Sequence, residues 1–246
     1  MCENTKEKAR SIQMVTGSLW KNILFFSIPL MCSQLLEVMF NLSDVAVVGH
    51  FADYKALGAV GSTTLLVTLF TGFLIGMGSG VNVRVAHSLG AGNQKETEET
   101  IHSSFLICLV TGLIICAVGL TSSRAFLALL HTKDELMEGA VNYLQIYSLG
   151  MPAMGLYNFG NGVMSARGDT KRPLVYLLIA GVLNVIMNLI FVIGFHMAAE
   201  GVAIASVMAQ YTSAGLVLHH LWRRRDVCRL QLRKVCFHRV AGKAGL

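Results

Sequence analysis

The chain is 246 residues long, with 54% hydrophobic and only 14% charged residues, a balance that a soluble domain of this size would find hard to bury. Lipid is the expected solvent. Twenty Lys and Arg against fourteen Asp and Glu leave a net charge of +6, but the basic residues lie outside the apolar runs, so they speak of membrane topology and not of nucleic acid.

The opening segment, 1–19, is polar and charged and has neither an apolar core nor a small-residue cleavage site. No removed signal is expected there, and targeting falls to the first membrane helix. About 20 helical residues cross the hydrocarbon layer. Apolar stretches of that length or more occur over 20–51, 56–83, 101–123, 140–166, 173–199 and 201–222. Six spans are therefore expected, each helical because lipid offers backbone groups no other partner.

The first span contains SIPLMCSQLLEVMFNLSDVAVVGH and is the only one with acidic residues. At 100° per residue, Gln34, Glu37, Asn41 and Asp44 fall within roughly 80° of one another, a polar stripe on an apolar rod. A carboxylate at that depth costs about 2.5–3.5 kcal/mol on insertion scales, so such side chains face a bundle interior or a wet cavity. Asp44 is the leading pathway candidate, against the alternative of a structural carboxyl hydrogen-bonded to its neighbours. Glu37 is a second candidate. Pro29 removes one backbone hydrogen bond from the same helix and is a candidate hinge.

On the second span Gly72, Gly76 and Gly80 repeat every four residues, a spacing that lets another backbone approach closely. That span closes with LGAGNQKE and the fourth with SARGDTKRP, a faint repeat that a good helix stop accounts for in each case. The fourth span carries Asn158, Asn161 and Ser165 on one face, the fifth carries Asn184 and Asn188 one turn apart, and the sixth carries Ser206, Gln210 and Ser213 on one face. Amide oxygens beside a carboxylate are hard ligands for a small cation, and a carboxyl withdrawn from water can carry a proton near neutrality. The same residues could instead bond helices together, at about 0.6–2 kcal/mol each. Phe40, Tyr147 and Tyr157 could wall a substrate cavity or serve as ordinary core. Cys2, Cys32, Cys108, Cys116, Cys228 and Cys236 fit no disulfide framework. With His238 in the tail they match no zinc pattern either. Reduced thiols are expected, with no metal beyond a sodium ion at Asp44.

With the amino terminus cytoplasmic, only Lys55, Arg124 and Lys133 of the twenty basic residues face outward. That bias places both termini in the cytoplasm, and an even number of spans agrees. The expected organisation is a cytoplasmic segment over 1–19, a transmembrane bundle over 20–222 and a basic cytoplasmic tail over 223–246.

From Trp20 to about Trp222 the sequence resembles the first six-helix lobe of the multidrug and toxic compound extrusion (MATE) transporters. The resemblance rests on IPLMCSQLLEVMFNLSDVAVVGH, GMGSGVNVRVAHSLGAGNQKE, GVMSARGDTKRP and LNVIMNLIFVIGFHMAAEGVAIASVMAQ taken together. It implies an all-α, polytopic six-helix bundle that is one of two lobes related by a pseudo-twofold axis. It also implies export of small organic, cationic compounds across the cell membrane in exchange for Na⁺ or H⁺, with no cofactor besides that ion. By the same resemblance Asp44 matches the family's cation-site aspartate and Pro29 its first-helix bend. Asn158, Asn161 and Asn184 match asparagines of the polar cluster, and Ser206 falls where relatives often have threonine. Asn188 stands where several members carry a second aspartate, and an amide cannot titrate. Glu37, where relatives often show glutamine, is a candidate to compensate, with Gln34 and Asn41 as further pathway residues. The resemblance covers one lobe, so a carboxy-terminal lobe or a second copy is the expected protein partner beside the bilayer. Alternatives are a lipid-linked saccharide flippase of the same superfamily, which usually needs a cationic cavity, and a non-transporting membrane subunit. An enzyme would need a convergent acid, base or metal set at membrane depth, and none is visible.

Overall fold

The computed structural model describes residues 19–223 and Cys228. The remainder of the amino-terminal segment and of the tail, with Cys2, Cys236 and His238, lies outside the described residues. Those described contain no strand. Their helices are α1 (Leu19–Phe51), α2 (Tyr54–Gly90), α3 (Gln94–Leu129), α4 (Asp134–Ser148), α5 (Met151–Ala166), α6 (Lys171–Leu189) and α7 (Ala199–Arg223). A π-helical turn, Ile190–Gly194, extends α6.

Five of these, α1, α2, α3, α6 with its π turn, and α7, are each long and apolar enough to cross a membrane. The stretch 140–166, expected as one further crossing helix, is instead two shorter helices, α4 and α5 in series. Pro152 sits in the first turn of α5 and has no N–H to offer the carbonyl of Ser148. The bonds there tighten instead, Leu149 N–H donating to Ile146 O at 3.1 Å and Gly150 N–H to Tyr147 O at 3.0 Å. The break therefore falls at Pro152, while Pro29 lies inside an unbroken α1.

The two similar motifs are helix stops of one geometry. Gly92 and Gly168 take left-handed backbones, φ +70° and +82°, the region that glycine enters without steric cost. Asn93 N–H donates to Ser88 O and Asp169 N–H to Met164 O, so each turn satisfies carbonyls its helix leaves open. Asn93 then caps α3, accepting from Glu96 N–H at 3.1 Å and donating to the Glu96 carboxylate at 3.0 Å. This cap starts α3 at Gln94, earlier than the apolar run alone suggests. The end of the bundle carrying these turns, with Arg84, Lys95, Arg167, Lys171 and Arg172, is the basic end.

Buried apolar side chains form two clusters. One gathers Val48, Leu74, Leu144, Met151 and Val202 toward the opposite end. The other gathers Val85, Ile101, Phe159, Val163, Val217 and Leu221 toward the basic end, and it includes Cys228. Helix α5 runs through the middle, against α2, α3 and α7. Its closeness to α2 and α3 depends on glycine. A Cβ on Gly78 would come within 2.8 Å of Asn158 O, one on Gly155 within 2.8 Å of Cys108 O, and one on Gly162 would strike Gly78 O. The stripe expected to pack, Gly72, Gly76 and Gly80, meets no atom within 4 Å. Close approach belongs to Gly78, on the other side of the same helix.

Helix α1 leans on α6 and touches α2 much less. Two seams result, one where α1 meets α6 and α7, the other where α1 opens away from α2 and α5.

Candidate functional site

In the first seam Asp44 of α1 is 5% exposed. Both of its carboxylate oxygens accept hydrogen bonds, Oδ1 from Asn188 Nδ2 at 2.6 Å and Oδ2 from Ser206 Oγ at 2.8 Å. Asn184 Nδ2 donates to Ser206 Oγ at 3.2 Å, and Asn188 Nδ2 also donates to Asn184 Oδ1 at 3.3 Å. The four side chains thus close a ring of hydrogen bonds joining α1, α6 and α7. Asn184 and Asn188 come together because they lie one turn apart on α6. Ser206 reaches them because α7 returns antiparallel beside it.

Every donor in the ring is neutral. Among the described residues Asp44 makes no ion pair, and no cluster of three or more His, Cys, Asp or Glu could hold a metal ion. Hydrogen bonds to a carboxylate are strong, but they do not cancel its charge. A small cation arriving at Asp44 would meet a carboxylate, a hydroxyl and amide oxygens, the hard donor set such ions prefer. The carbonyl oxygen Asn188 Oδ1 is buried without a donor, a further unused acceptor in the ring.

A cavity with room of about 90 Å³ opens beside this ring. Asp44, Asn184 and Ser206 line it, together with Glu37 and Asn41 of α1, Gln210 and Ser213 of α7, and the aromatic walls Phe40, Tyr147 and Tyr157. Such a space admits a few waters or a small head group. Asn188 sits behind the lining. Tyr143 stacks on Tyr147 with ring centroids 5.9 Å apart and backs that wall.

Not every expected site residue gathers here. Asn158 and Asn161, grouped with Asp44 from sequence, line a separate cavity of about 280 Å³ in the second seam. Gln34 lies there as well, with Ser33, Ser79, Asn82 and Ser165. The reason is the break at Pro152 together with the contact of α5 on Gly78, which turn the asparagine face of α5 toward α2 and away from α6. In this second cavity polar groups bond largely to their own helices. Asn158 Nδ2 donates to Met154 O at 3.0 Å, Ser165 Oγ to Asn161 Oδ1 at 3.3 Å, Ser33 Oγ to Pro29 O at 3.0 Å and Ser79 Oγ to Ile75 O at 3.2 Å.

Sequence reasoning did not find Asn82 or Gly181. Nothing marked Asn82, since one amide near a helix end is common. Gly181 is the bed on which the Phe40 ring lies, so that any Cβ there would strike the ring. A glycine within an apolar span signals a close neighbour without saying which. The four described cysteines, Cys32, Cys108, Cys116 and Cys228, are free thiols.

The profile of the MatE family matches residues 29–190. The probable multidrug resistance protein YpnP of Bacillus subtilis is 30% identical over 203 residues, 82% of this chain and 45% of its own length. The probable multidrug resistance protein NorM of Thermotoga maritima is 24% identical over 218 residues, 87% of this chain and 46% of its own. A crystal structure of MATE in the bent conformation superimposes with a TM-score of 0.86 at 23% identity, covering 93% of this chain and 51% of that one. The chain spans about half the length of the curated relatives it matches.

Proposed function

This chain belongs to the multidrug and toxic compound extrusion family and is a multi-pass membrane protein; on that premise we propose that it forms the first lobe of a secondary antiporter exporting small organic cations. The coupling ion, Na⁺ or H⁺, binds at Asp44 within the ring of Asn184, Asn188 and Ser206. The observation carrying this reading is a buried carboxylate whose two oxygens are held by neutral donors only, so that its charge is left for an incoming cation. Ion binding drives transport because it favours one orientation of the lobes over the other, and the ion must therefore bind the two states with different affinity. Pro29 serves as a hinge in the helix that carries Asp44.

The positive-inside bias supports a cell-membrane protein with its basic end and both termini in the cytoplasm, the bundle occupying about 20–222. A second lobe or a second copy completes the pathway. The acidic lining of the Asp44 cavity favours cations over lipid phosphates, since no basic side chain lines either cavity. A transport role also fits these cavities better than catalysis, because the Ser206 hydroxyl that meets Asp44 is tied into the ring by Asn184 as well, and no histidine lines either cavity to relay its proton.

The test is accumulation of a fluorescent cationic dye in efflux-deficient bacteria expressing this chain, with Asp44→Asn at matched membrane abundance. The expected result is lowered accumulation that the variant loses. An Asp44→Asn variant that exports as well as the wild type would overturn the role of Asp44. No export by either would overturn export by these residues alone.

A further inference from the structure

Glu37 stands seven residues before Asp44 on the same stripe of α1, about 10 Å away along the axis at 1.5 Å per residue. Both carboxylates line one cavity, yet their surroundings differ. Asp44 is buried and held through both oxygens. Glu37 is partly buried and has no hydrogen bond or ion pair among the described residues. Phe40, whose ring rests on Gly181, lies between them along α1 and lines the same cavity.

We propose that Glu37 is the counter-ion for the cationic head of the exported compound, bound in the Asp44 cavity beside Phe40 and Tyr157. This assignment rests on the export reading and separates two sites within it. Asp44, with its carboxylate, hydroxyl and amide oxygens, suits a bare ion. Glu37 offers a carboxylate that makes no hydrogen bond among the described residues, in a cavity walled by the rings of Phe40 and Tyr157 and by Leu177. A quaternary or protonated amine fits that setting, because aromatic faces attract a weakly hydrated cation. Gln210 and Ser213 line the same cavity and can orient a polar substituent. With room for about 90 Å³, the cavity takes the head group alone. The apolar body of the ligand must then lie outside, past exposed Asn41. The predicted ligand is a monocation with one small charged head on a larger apolar body.

The probe is benzyltrimethylammonium, titrated calorimetrically into the full chain in lipid nanodiscs. The wild type should bind it, Glu37→Gln should lose at least about tenfold in affinity, the effect of one partly desolvated charge pair, and Glu37→Asp should recover most of the loss. The thermal transition of all three should coincide. A Glu37→Gln variant that binds as tightly as the wild type overturns this assignment and leaves the export reading standing. A loss of binding accompanied by a matching fall in thermal stability also overturns it, since the role would then be structural. A wild type that does not bind the probe overturns both this assignment and the cation-export reading.

Discussion

The two seams of the bundle are lined by the same kinds of residue, yet they are built differently. In the first, polar side chains from α1, α6 and α7 bond to one another across helices, and the ring centres on a carboxylate. In the second, amides and hydroxyls bond mainly to carbonyls of their own helices, and no carboxylate is present. Cross-helix bonds fix side chains at defined separations, which is what selecting an ion requires. Bonds within a helix leave the opposite walls independent, so the second seam can widen or narrow without breaking them. The first seam is therefore held in one geometry by bonds between helices, and the second is not.

The second seam nevertheless depends on a rigid wall, the contact of α5 on α2. Gly162→Leu puts a side chain where Gly78 O already sits, and backbone cannot yield as a flexible side chain can. Overpacking of this kind costs about 3 kcal/mol, so the variant should lose most of its folded yield in detergent, read by size-exclusion of a fluorescent fusion. A normal yield would mean that α2 and α5 are not in backbone contact.

Smaller changes separate the seams directly. Asn188→Ala removes a donor at 2.6 Å from Asp44 and the support of Asn184 as well. Loss of such a supporting partner lowers ion affinity by about 10–100-fold. Asn161→Ala touches no member of the ring and should change ion affinity less than about threefold, within the scatter of surface substitutions. Titration of the coupling ion into both variants makes the comparison. Equal losses would merge the two seams into one site.

Much of this architecture is legible in the sequence because membrane burial writes it in long runs. Five of the six apolar stretches became helices long enough to cross, the sixth broke into α4 and α5, and the charges between them became turns with Gly92 and Gly168 at the required left-handed positions. Asp44 stood out because an acid is costly at that depth. The partners of Asp44 were only half legible. Asn184, Asn188 and Ser206 converge on it, but Asn158 and Asn161 are likewise a pair of asparagines about one helical turn apart. What separates them is the rotation of α5, which depends on Pro152 and on Gly78 in a different helix, and helical periodicity carries no information about how one helix is turned against another.

Glycine shows the same limit on a smaller scale, and it gives the weakest of the expected effects. Gly72, Gly76 and Gly80 have the spacing of a packing motif, whereas Gly78, two residues from each of Gly76 and Gly80, has no such repeat. The α5 backbone nonetheless lies on Gly78, and among the described residues nothing lies on the other three. Gly76→Ala should therefore leave the thermal transition of the bundle unchanged or raise it slightly, since alanine favours helix by up to about 1 kcal/mol over glycine where nothing is displaced. A clear fall would mean that a further helix rests on that face in the membrane, turning the four-residue repeat back into the contact its spacing suggests.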